Sequence, residues 1–398
     1  MTVYPILILI SSLIILSYLF NIISRYLRLP SVLLLISAGV GLKYVAAFYG
    51  FAVPDTRLLV ELLGVTGLIF IVLEGALDLK LSRNVVPLIG RSFLSAFLIL
   101  CVTSGVIAWV LHALLLPDWR LAIVYAVPLG VISSAIAIPS VSGLSLQKKE
   151  FVVYESTFSD ILGIMLFNHV ILDNWNQLSS IPVFFGGLLG IAAVAVVCTL
   201  LLLLLLNYTR SHVRFFLVFA FLILIYSFAK IVHWPSLLLI LIFGLALNNP
   251  RLFIRKRFER FFHLEKLDAV TSELKVITIE SAFLIRTFFF LLFGFSIELS
   301  QLNDGNVLLI GSAVTLSIIL VRLVFLRFIS KTNLFPELFI APRGLITIIL
   351  FYSIPTTLQT NLFNQGILLF VILASNLLMM LGLLVTGKKY SNELDEVV

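Results

Sequence analysis

The tightest constraint on this chain is a succession of about thirteen apolar runs, each near the roughly 20 residues that a helix needs to cross a bilayer. They cover residues 3–23, 30–48, 57–78, 85–116, 119–144, 150–172, 179–207, 213–231, 234–248, 279–298, 305–328, 335–354 and 361–386. Backbone groups in hydrocarbon must be satisfied within the segment itself, so runs of this kind are helices. The expected fold class is an all-α polytopic membrane protein with about 13 transmembrane helices. Apart from the one at 249–278, the connections between the runs are short, and a composition of 61% hydrophobic and 12% charged residues leaves no soluble catalytic domain to be sought. The first run has no basic stretch before it and no small-residue cleavage pattern after it, which makes it a span rather than a signal peptide. His233-Trp234-Pro235 divides the eighth run from the ninth, because proline ends or kinks a helix.

Lysine and arginine concentrate in cytoplasmic loops and so give the orientation. Odd-numbered connections hold Arg25 and Arg28, Lys80 and Arg83, Lys148 and Lys149, Arg210 and Arg214, the stretch from Arg251 to Lys275, and Arg327 and Lys331; the tail adds Lys388 and Lys389. Even-numbered connections hold little beyond Arg57, Arg120 and Lys230. The N-terminus is expected outside and the C-terminus in the cytoplasm, as an odd number of spans requires. The net charge of +7 therefore orients helices, and no nucleic acid partner is expected. Cys101 and Cys198 lie in apolar runs without a CxxC or Cys/His grouping, so neither a disulfide nor a metal site is indicated. The long connection at 249–278 carries Arg255, Lys256, Arg257 and Arg260 among Phe258, Phe261 and Phe262. It is expected to be an amphipathic helix on the anionic inner leaflet, with a solvated linker as the plainer alternative.

Chemistry is concentrated in run six, where Tyr154-Glu155-Ser156-Thr157-Phe158-Ser159-Asp160 puts two carboxylates at bilayer depth. Ionisable groups there are costly and line ion or proton paths. Helical spacing sorts them into two i,i+4 pairs on adjacent faces, Glu155 with Ser159 and Ser156 with Asp160. Two unpaired carboxylates at low dielectric would repel, so one of them needs a cation. Arg322, in the interior of run eleven, is placed to pair with Glu155 and leave Asp160 free to exchange ligands. Run five carries Pro128, Gly130, Ser133, Ser134, Pro139, Ser140, Ser142 and Gly143, the composition of a discontinuous helix. Run twelve has a matching break at Ala341-Pro342-Arg343-Gly344. The two breaks lie seven runs apart, an offset that reverses orientation and fits an inverted repeat with its site where they meet.

The chain resembles the monovalent cation:proton antiporters, and within them the sodium/proton exchanger-like branch. The resemblance is carried by Arg28-Leu29-Pro30, Leu73-Glu74-Gly75-Ala76-Leu77-Asp78-Leu79, the glutamate-serine-x-x-x-aspartate of run six, Phe289-Phe290-Leu291-Leu292-Phe293-Gly294 and Pro342-Arg343-Gly344. These strings are specific through their order and spacing. The likeness implies a sodium/proton antiporter fold with crossed, broken helices 5 and 12. It implies an ion-transporting core at 85–178 and 301–387, dimerisation or scaffold helices at 1–84 and 179–300, and a short cytoplasmic tail at 388–398. Asp160 would carry Na+ or K+ and H+ alternately, with Ser156, Ser159, Ser134 and Ala137 around it. Glu155 and Arg322 would form a structural ion pair, and Pro139, Arg343 and Gly344 would belong to the helix crossing. The implied protein is a homodimer in the inner membrane working by elevator-like alternating access, with no cofactor.

Two departures from the family pattern matter. Ser159 stands where relatives carry asparagine or aspartate, which leans toward electroneutral exchange. Ala137-Ile138-Pro139 replaces a threonine-aspartate-proline, so Ser133, Ser134 and exposed carbonyls must serve in place of the acid. A cation channel or uniporter, or a non-transporting sensor subunit on the same fold, are the alternatives. No HExxH or GxSxG motif is present, so no enzyme is expected. Glu74 and Asp78 are open to structural or access-funnel roles, Arg286 to buried pairing or snorkelling, and His169 to an interfacial place.

Overall fold

The structure, a computed structural model, describes residues 3–27, 30–50, 57–79, 86–141, 144–172, 214–231, 236–249, 264–330 and 335–395, with isolated positions between 186 and 201. Arg28 and Leu29, Lys80 and Arg83, Ser142 and Gly143, most of run seven, Arg210, the His233-Trp234-Pro235 break, residues 251–263, and Lys331 lie outside the described residues. Regular structure among the described residues is entirely helical. The helices are α1 Val3–Leu27, α2 Ser31–Phe48, α3 Arg57–Asp78, α4 Val86–Leu114, α5 Trp119–Gly130, α6 Ser134–Ser140 and α7 Leu146–Val170. They continue with α8 Arg214–Ile231, α9 Ser236–Asn248, α10 Leu264–Ser296, α11 Gly305–Val324, α12 Leu345–Tyr352 and α13 Gln365–Asp395. Run five becomes α5 and α6, and run six becomes α7.

Seven helical stretches among the described residues are long and apolar enough to cross a membrane. The chain is a multi-pass membrane protein. α7 is the exception that matters: it has the length of a span, 25 residues, yet carries Glu155 and Asp160 in its interior.

Packing sorts the helices into two groups. In the first, α10 packs most extensively on α2 and α3, α9 joins α3 and α8, and α1 lies on α2. In the second, α4 packs on α5, α7 and α11, α11 on α13, and α6 on α7. α12 touches α3, α5 and α7, so the groups meet along α3 and α12. The α2 and α10 backbones approach unusually closely. A Cβ on Gly39 would fall 2.1 Å from the Leu291 carbonyl oxygen, and one on Gly294 would fall 2.2 Å from that of Ile36. Glycine is the residue that allows this, as at small-residue contacts between membrane helices generally.

Three boundaries differ from the sequence expectation. α10 starts at Leu264, so residues 264–278 extend a span instead of forming a separate helix on the bilayer surface. Contacts within the bundle explain this: Leu274 is fully buried, Thr271 Oγ1 donates to the Leu247 carbonyl at 3.2 Å, and Lys275 Nζ lies 2.6 Å from Asp78 Oδ1. Run twelve is helical only over Leu345–Tyr352; residues 335–339 are turns and 340–344 are irregular, since Pro336 and Pro342 withhold the amides a helix would use. α13 runs on to Asp395, so the expected short tail begins as a helix.

Gly294→Ala places a methyl group against a backbone that cannot move aside, and overpacking of this kind costs about 1–3 kcal/mol. A lower thermal unfolding midpoint of the purified protein in detergent is expected, whereas Gly41→Ala, with nothing within 4 Å of the added Cβ, should leave it unchanged.

Candidate functional site

The site begins with a problem that the break in run five creates. α5 ends at Gly130, and its last carbonyls have no amide of the same helix to accept from. Arg343 answers them. Its Nε donates to Leu129 O at 2.8 Å, its Nη2 to Gly130 O at 3.0 Å, and its Nη1 to Ala341 O at 2.7 Å. A guanidinium is well matched to this place, because it brings several donors and a positive charge to the negative end of a helix. The other break is tied in by its backbone: Ser133 N donates to Pro342 O at 2.9 Å. Gly344 is where the two segments cross, since a Cβ there would meet Ile136 Cδ1 at 2.4 Å and Ser133 Oγ at 3.0 Å. Arg343 is itself held by α13, through Ser375 Oγ accepting from its amide at 3.0 Å and Asn376 Nδ2 donating to its carbonyl at 2.8 Å.

α6 starts on the far side of the break with its amides exposed, and α7 supplies a carboxylate to them. Ser134 N donates to Asp160 Oδ2 at 3.2 Å, and the Ser134 hydroxyl donates to the same oxygen. Thus the positive end of the half-helix faces Asp160, while the Ile138 position, where relatives carry an acid, stays apolar. The Ile138 side chain packs among Leu79, Val153 and Tyr154. Asp160 is 1% exposed, and its second oxygen, Oδ1, is buried without a hydrogen-bond partner. α7 can lie this close because Gly163 faces Val131, where a Cβ would come within 2.3 Å of Cγ2.

Glu155 is occupied differently. Arg322 Nη2 donates to its Oε2 at 2.8 Å and Ser95 Oγ to its Oε1 at 2.7 Å, with Glu155 and Arg322 each 1% exposed. Arg322 Nε donates to the Glu337 carbonyl at 2.7 Å, so the pair also braces the turn that precedes the break in run twelve. Lys148 holds the same turn from outside, 3.1 Å from Glu337 Oε1.

The remaining sequence-predicted residues take humbler places. Ser159 Oγ accepts from Ile132 N at 2.9 Å and so satisfies an amide of the broken stretch. Ser156 Oγ donates back to its own helix, to Val152 O at 2.7 Å and Val153 O at 3.3 Å, which commits its proton and leaves lone pairs. Ala137 is fully buried in α6, its amide donating to Ser133 O at 3.0 Å, and Pro139 lies within the same half-helix. Arg286 does not snorkel: it donates to Ala135 O at 2.8 Å and lies 3.5 Å from Glu74. Asp78 pairs with Lys275. The sequence reading missed Ser95, Glu337, Ser375 and Asn376. Asn376 and the Ser92, Ser95, Thr103 series on α4 were visible as polar residues inside apolar runs, which is the signal that finds such partners.

The Sodium/hydrogen exchanger, transmembrane family model matches residues 9–386. The chain belongs to that family. It is a transporter family, so the protein is a membrane transporter and not an enzyme. Two solved structures of the sodium proton antiporter MjNhaP1 from Methanocaldococcus jannaschii share the fold. The structure at pH 8 aligns with a TM-score of 0.68 and 20% identity over 96% of this chain and 98% of that one. An electron-microscopy map gives 0.69 and 19% identity over 98% and 97%. No curated protein sequence matches the chain. The sodium/proton antiporter fold, with its crossed discontinuous helices, is therefore the fold of this family member.

Truncating one partner of a buried ion pair leaves an uncompensated charge, at a cost of about 3–5 kcal/mol. Arg322→Ala is expected to lower the yield and thermal midpoint of the purified protein sharply. Adding Glu155→Gln should restore much of the loss, since the stranded charge is then gone. Equal midpoints for Arg322→Ala and the parent would show that the pair carries no stability.

Proposed function

We propose that this exchanger-family protein is a secondary antiporter that exchanges a monovalent cation, Na+ or K+, for H+ across the membrane, with Asp160 as the group that binds each in turn. The carrying observation is the state of that carboxylate: Oδ2 is tethered by Ser134, while Oδ1 is buried with no protein donor. A carboxylate held by one oxygen keeps the other for a proton or a small cation, and the two compete. Competition couples the gradients, because the site changes sides only when loaded and a rise in one ligand displaces the other. Ser134, Ser156 and Ser159 supply oxygens around it, and the backbone near Ala137 contributes carbonyls. Family membership and the name of the structural relative, a sodium proton antiporter, support the same reading.

Charge bookkeeping favours electroneutral exchange. Glu155 is neutralised by Arg322, and Ser159 brings no second carboxylate, so Asp160 is the single acid of the site that is free of a cationic partner. Binding one Na+ or one H+ leaves the same net charge, and one exchanges for one. The group of α4 to α7 with α11 to α13 forms the moving core, and α1 to α3 with α8 to α10 form the scaffold through which two copies pair. The protein sits in the inner membrane with its N-terminus outside.

In proteoliposomes with a pH-sensitive dye, Na+ or K+ addition should release a preset proton gradient, and Asp160→Asn should reduce that signal to the level of empty vesicles while the protein still purifies as a folded species. Undiminished exchange by Asp160→Asn would remove the carboxylate from the mechanism. Electroneutrality has its own check: clamping the vesicle potential with valinomycin and K+ should leave the rate of Na+-driven exchange unchanged. A cation current that ignores the pH gradient would mark a uniporter instead.

A further inference from the structure

Arg286 is a cation that this mechanism does not use. It lies on α10, in the first helix group, and is 13% exposed. An arginine that only snorkels extends toward headgroup water. This one turns inward and gives an N–H to the carbonyl of Ala135, on α6 in the second group, at 2.8 Å. Its Nη2 lies 3.5 Å from Glu74 on α3, and its Nε is buried without a partner. Ala135 follows Ser134, and Ser134 is the residue that holds Asp160. A continuous chain of polar contacts therefore runs from Glu74, through Arg286 and the start of α6, to the ion-binding carboxylate.

Around that contact, glycines of the first group face side chains of the second. Gly64 of α3 faces Ile349 of α12, Gly67 faces Leu345, and Gly75 faces Thr157 of α7, whose Oγ1 would be 3.4 Å from an added Cβ. Contacts between glycine and aliphatic groups can be remade at another register with little loss. A charged donor on a helix carbonyl cannot be shifted without breaking it.

We propose that Arg286 is a positioning residue that latches the half-helix α6 to the scaffold, and that each transport cycle must release it. Glu74 is its counter-charge, which lets a guanidinium remain at this depth when the Ala135 carbonyl moves away. The latch stabilises the arrangement seen in the structure and sets the orientation of Ser134, hence of Asp160. This inference rests on the reading, given under Proposed function, that the second helix group moves against the first.

The test uses the full chain with Cys101→Ser and Cys198→Ser, and with Gly75→Cys and Thr157→Cys added as a reporter pair across the group boundary. Losing a charge-assisted hydrogen bond from one of two states shifts their ratio by about tenfold. The initial rate of oxidative cross-linking in proteoliposomes should therefore fall in Arg286→Gln, by between about twofold and that factor according to how far the parent favours the latched state, and by less in Arg286→Lys, which keeps the charge against Glu74 but reaches less far. Cross-linking of Arg286→Gln at the parent rate overturns the latch. Should that variant fail to fold, parent-like cross-linking of Arg286→Lys overturns it equally. The underlying two-group reading is tested separately: the cross-linked parent should lose transport and regain it on reduction, and full transport while cross-linked overturns that reading whatever Arg286 does.

Discussion

Everything in the core of this protein depends on how a membrane-buried chain satisfies the backbone groups of two interrupted helices. Water is not available to cap them, and an uncapped carbonyl in hydrocarbon is costly. Arg343 is the answer for α5, with donors to Leu129 O and Gly130 O, and it is only 1% exposed. The first amide of α6, that of Ser134, is answered by Asp160, and the buried amide of Ile132 by Ser159. The caps come from α7 and from the break before α12, which α13 holds in turn, so the break is stable only when α5, α6, α7, α12 and α13 are assembled.

That arrangement separates the four buried ionisable side chains of the site by task. Arg343 is consumed by carbonyls, Arg322 by Glu155 and the Glu337 carbonyl, and Asp160 alone keeps an oxygen without a protein donor. Stability and function are thus built from the same residue types but kept apart by geometry. Glu155 has a full set of partners. Asp160 has half a set, which is the basis of the exchange role proposed for it, and its neighbours, Ser156 and Ser159, hold hydroxyls already engaged with backbone. The serine at 159 also accounts for a site with one free acid rather than two.

Much of this was legible beforehand, for physical reasons that particular residues illustrate. Run length and hydrophobicity reveal a span because the bilayer is thick and apolar, and α4 or α11 could hardly be mistaken. Glu155, Asp160 and Arg322 stand out because a charge at that depth needs a partner or a purpose. Prolines and glycines mark the breaks in runs five and twelve because they cannot continue a helix. Less legible were residues whose partners lie far away in the chain. Ser95 and Asn376 look like ordinary polar substitutions until α4 is seen beside α7 and α13 beside the second break. The start of α10 was misread for the same reason: Lys275 resembles a loop cation until Asp78 is found next to it.

The sequence by itself determined the membrane class, the approximate spans, the two breaks and the short roster of intramembrane charges, since each follows from what hydrocarbon forbids locally. The tertiary structure alone decided which of those charges meet, because burial and hydrogen bonding are settled between helices rather than along them. It assigned Arg343 to the end of α5, Ser134 to Asp160, and Arg286 to Ala135 and Glu74. No spacing in the chain encodes those pairings. They arise when α3, α6, α7, α10 and α12 converge, and between Glu155 and Asp160 it is Asp160 that they leave with a carboxylate oxygen lacking a donor.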